Sequence, residues 1–169
     1  MLDFLFRRLT AESRRGSQLF DTATDLAREP HWYIEGEVPD TLDGRFAVLS
    51  TVIALILVRL EQDGAAGDAV SVALTERFIE VMESEHRELG MGDPTLGRTV
   101  RKLVGSLARR TELWRSAVRG DIDWATAARE SLHKDNASTE SAGHGANALR
   151  RLSTRLGGAG LAELERGKL

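Results

Sequence analysis

The sequence predicts an all-α protein, a single-domain helical bundle of about five to seven helices, and three observations carry that reading. Apolar residues recur at three- and four-residue steps along most of the chain. One segment is apolar almost all round. Glycine, proline and capping residues punctuate the chain where these patterns stop, and no stretch alternates as a strand would.

The first expected helix runs from Thr10 to Arg28, with Leu19, Phe20, Ala23, Leu26 and Ala27 on one face. From Glu29 to Pro39 the prolines, a glycine and the pair Trp32-Tyr33 predict an ordered loop whose aromatics tuck against the domain. Asp40 and Thr41 are cap candidates for a second helix through Phe46, Leu49, Ile53, Ile56, Leu57 and Leu60 to Asp63-Gly64. Its uncharged run, Phe46 to Val58, is 13 residues long. Roughly 20 are needed to cross a bilayer, so this is expected to be the buried centre of the bundle.

A third helix is expected from Asp68 as cap to about Leu89, with Val72, Phe78, Ile79 and Met82 inward. Gly90-Met91-Gly92-Asp93-Pro94 marks a sharp corner, because glycine closes a helix in the left-handed conformation and proline suits a first turn. The fourth helix runs from about Thr95 to Arg119, and Asp121 is expected to cap a fifth carrying Ile122, Trp124, Ala128 and Leu132. A polar link from Lys134 to Gly145 then precedes one or two short C-terminal helices. Gly157-Gly158-Ala159-Gly160 follows no strand and lacks the phosphate-loop lysine, so it reads as an interhelical turn. The expected organisation is therefore an amphipathic lead-in over 1–18, a helical domain over 19–133, and a link with short helices over 134–169.

With 169 residues, 41% hydrophobic and 29% charged, the chain has the composition of one globular domain. Cysteine is absent, which excludes disulfides, thiolate metal sites and a thiol nucleophile. Met1 to Arg8 carries an acid where a secretion signal needs basic residues, so a cytoplasmic protein is expected, peripheral at most on the cytoplasmic face of the inner membrane. Glu83 and His86 have the spacing used in di-iron bundles, but no second pair follows. His86-Arg87-Glu88 matches the zinc-deaminase pattern without the thiolates it requires. His31, His133 and His144 stand isolated and read as surface or loop histidines. No catalytic residue, metal or cofactor is expected, and binding of other proteins is the favoured role.

The fourth helix is the strongest interaction signal. Leu96, Val100, Leu103, Val104, Leu107, Trp114 and Val118 form its apolar stripe, and Arg98, Arg101, Lys102, Arg109, Arg115 and Arg119 lie opposite with no carboxylate in those positions. Neighbouring like charges cost a few tenths of a kcal/mol per pair, so an anionic partner is expected: lipid, RNA or an acidic protein. Neutralisation by acids on adjacent helices is the alternative. Phe4, Phe6, Arg7 and Arg8 could contact a membrane surface, although packing on the bundle accounts for the aromatics equally well. A helical nucleic-acid-binding regulator is the alternative overall. The helices flanking the Gly90–Pro94 corner look too long for a helix-turn-helix, and no DNA is expected as partner.

Two segments together carry a family likeness: Pro39-Asp40-Thr41-Leu42-Asp43-Gly44-Arg45-Phe46, and Arg87-Glu88-Leu89-Gly90-Met91-Gly92-Asp93 followed by Arg98 and Arg101-Lys102-Leu103. With Ala27-Arg28-Glu29-Pro30 and Tyr33 upstream, the stretch from Leu19 to Val118 resembles the ubiquinol-cytochrome c chaperone family. The resemblance implies a helical assembly factor that escorts newly made cytochrome b, or its nascent chain, into the ubiquinol-oxidising respiratory complex. It also implies contact with a small assembly partner, the ribosome or an anionic membrane surface. Val48-Leu49-Ser50-Thr51-Val52 replaces a segment in which many members have a histidine, so no haem ligation is expected there. Ser106-Leu107-Ala108-Arg109 replaces a Phe-Tyr-Gly-Arg-like segment. The residues expected to bind partners are Arg87, Glu88, Arg98, Arg101, Lys102 and Arg109, the polar side chains flanking the Gly90–Pro94 corner.

Overall fold

Helix α2 (Leu42–Leu60) occupies the centre that its apolar circumference demands. It packs against α1 (Ser17–Ala27), α3 (Gly64–Glu88), α4 (Asp93–Arg119), α5 (Trp124–His133) and α6 (Thr139–Gly158). Its residues Ser50 to Ile56 are buried without a break. A short α7 (Leu161–Glu165) completes the chain in this computed structural model, which describes residues 16–133 and 137–169; among them no strand is present. No helix among the described residues is long and apolar enough to cross a membrane. The lead-in residues Phe4, Phe6, Arg7 and Arg8 lie outside the described residues.

The loop between α1 and α2 is ordered by its aromatics. Trp32 Nε1 donates to the carbonyl of Leu26 at 2.8 Å and the Tyr33 hydroxyl donates to that of Ala27 at 2.8 Å, so two side chains finish the last turn of α1. Burial, above all, pushes the Tyr33 phenol up from its ordinary 10.0, with Arg45 pulling it down and Asp40 up, and it keeps the proton it donates. The α3–α4 and α4–α5 corners close through the backbone instead. Gly90 (φ +84°) and Gly120 (φ +85°) take left-handed conformations, and the following amides reach back to the carbonyls of His86 and Ser116.

Four expectations are corrected. Helix α3 begins at Gly64, not after Asp68, and its buried line is Val70, Leu74, Phe78, Met82 and His86, leaving Val72 57% exposed. A strict four-residue repeat, rather than the apolar residues in general, sets that face. In α4 Ala117 is buried in place of Val118, because it continues the line of Trp114. Asp121 is consumed by the closure of α4 and pairs with Arg119 at 3.0 Å, so Asp123 caps α5 by accepting from the amides of Ala125 and Thr126. The supposed polar link is helical from Thr139, where Ser138 accepts from the Ser141 amide, and α6 is 20 residues long rather than short. Its Ser/Gly/Ala sequence hides a packing face: Ala142, Gly145, Ala146 and Leu149 are buried, with Leu132 and Ala128 of α5 closest to Gly145. The interhelical turn expected over Gly157–Gly160 is confined to Ala159 and Gly160, because Gly157 and Gly158 still belong to α6. Arg59 holds it by donating to the carbonyls of Leu156 and Ala159 at 3.0 and 2.8 Å.

Candidate client-binding groove

The two segments that carry the family likeness, far apart in sequence, build one groove. Pro39 to Phe46 forms the entry to α2, where Gly44 lies flat against the carbonyl of Pro39, Thr41 Oγ1 accepts from the Gly44 amide at 3.2 Å, and Asp40 pairs with Arg45 at 2.7 Å. Of the two cap candidates it is Thr41 that caps the helix, while Asp40 is engaged with Arg45. The end of α3 and Leu89 just before the Gly90 corner supply a second wall.

The groove encloses about 990 Å³. The end of α1 and its loop contribute Ala27, Arg28, Tyr33 and Ile34. Helix α2 and the residues before it contribute Asp40, Leu42, Asp43, Arg45, Phe46 and Leu49; α3 contributes Met82, Glu85, His86 and Glu88, followed by Leu89; and α4 contributes Leu103. At its rim three large aliphatic side chains stand in water: Ile34 at 69%, Leu42 at 56% and Leu89 at 63% exposure. Apolar residues at such exposure, gathered around one concavity with an apolar floor, make it the candidate interaction site of the described residues. His86 is buried beneath them with Nδ1 at 2.8 Å from the Met82 carbonyl, a structural role.

Of the expected partner-binding residues, only Glu88 lines this groove. Arg87 is exposed near its edge on α3. Arg98, Arg101, Lys102 and Arg109 are exposed along α4 and have no ion pair among the described residues. The rest of the basic face is neutralised. Arg115 pairs with Glu61 at 2.6 Å and with Glu112, and Arg119 pairs with Asp121. Sequence reasoning missed Ile34, Leu42 and Leu89; the signal was a large aliphatic residue beside a turn or cap, outside the helical stripe.

Two histidines that stand apart in sequence meet beside the groove loop. His31 Nδ1 lies 3.0 Å from His144 Nε2, and His31 Nε2 lies 3.0 Å from the Glu29 carboxylate. An ionised carboxylate can only accept, so in neutral His31 the proton sits on Nε2 and Nδ1 accepts from His144. Burial first, then repulsion from a protonated His31, hold His144 below its ordinary 6.5, against the pull of Glu35; Arg151 adds to the lowering. His133 is lowered too, by burial and by Arg129, with Glu37 opposing. The unfolded chain therefore binds more protons than the native one below about pH 6.5, and these histidines contribute stability that is complete above that pH and lost as pH falls through their folded values. Urea midpoints at pH 7.5 and 5.5 should show a loss at the lower pH, and His144→Gln should shrink it. An unchanged difference in that variant would remove His144 from the account.

The comparisons with known proteins agree with this architecture. The family model described as ubiquinol-cytochrome C chaperone matches residues 35–166. A solved structure described as the crystal structure of the Cbp3 homolog from Brucella abortus superposes with a TM-score of 0.78 at 25% sequence identity, covering 100% of this chain and 95% of that one. No curated protein matches the chain. The family match spans both groove segments and the three helices after α4, well over half of the residues, and the chain belongs to the ubiquinol-cytochrome c chaperone family.

Proposed function

We propose that this protein escorts newly made cytochrome b during biogenesis of the ubiquinol-cytochrome c reductase complex, receiving an apolar segment of that client in the groove between α1, α2 and α3. Family membership supports the pathway, and the ring of exposed Ile34, Leu42 and Leu89 around an apolar floor carries the assignment of the site. A segment bound for the bilayer needs apolar cover in water, and a concave aliphatic rim provides it. Glu88 and Arg87 flank the site; Arg98, Arg101, Lys102 and Arg109 form a second contact for anionic groups of the client or its surroundings. The chain acts by binding, in the cytoplasm or on the cytoplasmic face of the inner membrane, where Phe4, Phe6, Arg7 and Arg8 would add a membrane contact.

Affinity recovery from solubilised membranes of the host tests this. Wild-type protein should bring down cytochrome b, and Leu42→Asp with Leu89→Asp should lower recovery at least ten-fold, because two charges would replace aliphatic contacts without touching the core. Reversing Arg98, Arg101, Lys102 and Arg109 to glutamate should weaken recovery and its salt dependence together. Undiminished recovery with the double Leu variant would overturn the groove assignment.

A further inference from the structure

The loop that carries Ile34 to the groove rim is fastened to α6 as well as to α1. Its outer turn is built on His31 and Trp32: the Gly36 amide donates to the His31 carbonyl at 2.8 Å and the Val38 amide to that of Trp32 at 3.0 Å, so the place of Ile34 depends on that of His31. Two side-chain contacts reach α6. His31 Nδ1 meets His144 Nε2 at 3.0 Å, and Glu37 accepts from the hydroxyl of Ser138, the cap of that helix, at 3.1 Å. Glu37 has a φ of +52°, a left-handed backbone that a residue with a side chain disfavours, so the turn needs outside contacts to keep its shape.

The ring centroids of His31 and His144 lie 5.2 Å apart, close to the widest separation that a 3.0 Å contact between ring nitrogens allows. The two nitrogens therefore point at each other, as in a hydrogen bond, rather than converging on an ion. Because Glu29 takes the Nε2–H of His31, the neutral pair has His144 Nε2–H donating to His31 Nδ1. One added proton still leaves a donor facing an acceptor: if His144 takes it at Nδ1, the donation from Nε2 continues. A second proton, on His31 Nδ1, sets two N–H groups head to head and places two cations in contact. Water can deliver both, since the His31 side chain is 27% exposed and His144 is half-buried. Glu29 and Glu35 face the pair from the loop and Arg151 from α6; on α5, His133 feels Glu37 at the far end of the loop and Arg129 of its own helix.

We infer that the bond between His31 and His144 is a two-proton clasp on the groove rim, closed while one N–H faces one lone pair and opened when both rings are protonated, so that Ile34 leaves the rim and the client is held less tightly. Trp32 and Tyr33 stay tied to the carbonyls of α1, which confines the motion to the outer turn. Control of the client rests on the groove reading above; the clasp does not.

Amide signals of Ile34 and Gly36 and ring signals of both histidines, followed by NMR on the full chain from pH 8 to 5, read the clasp without any client. The two amides should move with the second proton of the pair, while the amide of buried Ile53 stays in place. His144→Gln should hold them still, because a glutamine amide donates to neutral His31 and accepts from protonated His31. His144→Ala offers neither and should give the low-pH positions already at pH 8. Recovery of cytochrome b from solubilised membranes reads the consequence: the wild type should lose at least about five-fold between pH 7.5 and 5.5, and His144→Gln less than about two-fold. Ile34 signals that ignore the histidine titration, that shift equally in the glutamine variant, or that move only together with Ile53 would overturn the clasp. Equal wild-type recovery at both pH values would overturn its control of the client. Undiminished recovery with Leu42→Asp and Leu89→Asp, by contrast, would count against the groove and leave the amide result standing.

Discussion

A Gly44→Ala protein is expected to lose at least about 3 kcal/mol of stability, despite placing a better helix former in a helix. A Cβ at this position would lie 1.8 Å from the Pro39 carbonyl oxygen and 2.9 Å from its carbon. Both are backbone atoms, so no side-chain rotation relieves the clash, and the segment before α2 must move away. That motion breaks the Thr41 cap and the Asp40–Arg45 pair. The cap contributes about 1 kcal/mol, which cancels the propensity gain of alanine and leaves the steric cost unopposed. Against a total of about 5–15 kcal/mol, such a loss should move the urea midpoint well clear of error. Thr41→Ala, which removes only the cap, should cost about 1 kcal/mol. Because Asp40, Leu42, Asp43 and Arg45 line the groove, Gly44→Ala should also reduce client recovery in conditions where the variant remains folded. A Gly44→Ala midpoint equal to that of the wild type would mean that the approach of the Pro39 carbonyl is not as close as it stands.

The helical class and the central place of α2 were legible because both follow from apolar periodicity, which burial must satisfy. The Gly90–Pro94 corner was legible because glycine at positive φ and proline at a first helical turn leave a local chemical signature. Other features depend on which neighbour arrives, and the sequence does not encode that locally. Asp121 and Asp123 are equally good caps in sequence; closure of α4 through Gly120 claims the first and leaves the second. The Ser/Gly/Ala run before Leu149 looks like a linker until α5 comes close enough to need small residues there. The basic face of α4 was legible only in part, because Glu61 arrives from the α2–α3 connection and neutralises Arg115, and Asp121 pairs with Arg119. At the groove, the motif Pro39 to Phe46 was visible in the sequence through its polar residues. The aliphatic rim was hidden because Ile34, Leu42 and Leu89 belong to three different elements and to no common period.

Trp114→Ala is expected to cost about 4 kcal/mol, and the comparison with Trp114→Phe separates packing from hydrogen bonding. Trp114 is fully buried in α4, with its ring 5.3 Å from that of Trp124. Its Nε1 donates to Ser131 Oγ at 3.1 Å, and that hydroxyl lies 2.5 Å from Thr51 Oγ1, so α4, α5 and α2 meet at one polar point inside the core. Arg110 reinforces the junction by donating to the Ser131 carbonyl at 2.9 Å while its guanidinium lies over Phe46 at 5.8 Å. Burial, together with the neighbouring Arg109, lowers the Arg110 pKa, as expected for a guanidinium held by neutral acceptors. Phenylalanine at position 114 keeps much of the ring volume but leaves Ser131 without its indole donor, which should cost about 1–3 kcal/mol. Alanine adds a cavity the size of a bicyclic ring, and few side chains nearby can collapse into it, since Ala117, Ala127 and Ala128 are already small. Ser131→Ala should match Trp114→Phe more closely than Trp114→Ala, because it strands the indole N–H while leaving the packing in place. If the serine variant instead proved as damaging as Trp114→Ala, the polar junction rather than the buried ring would dominate the stability of this corner of the bundle.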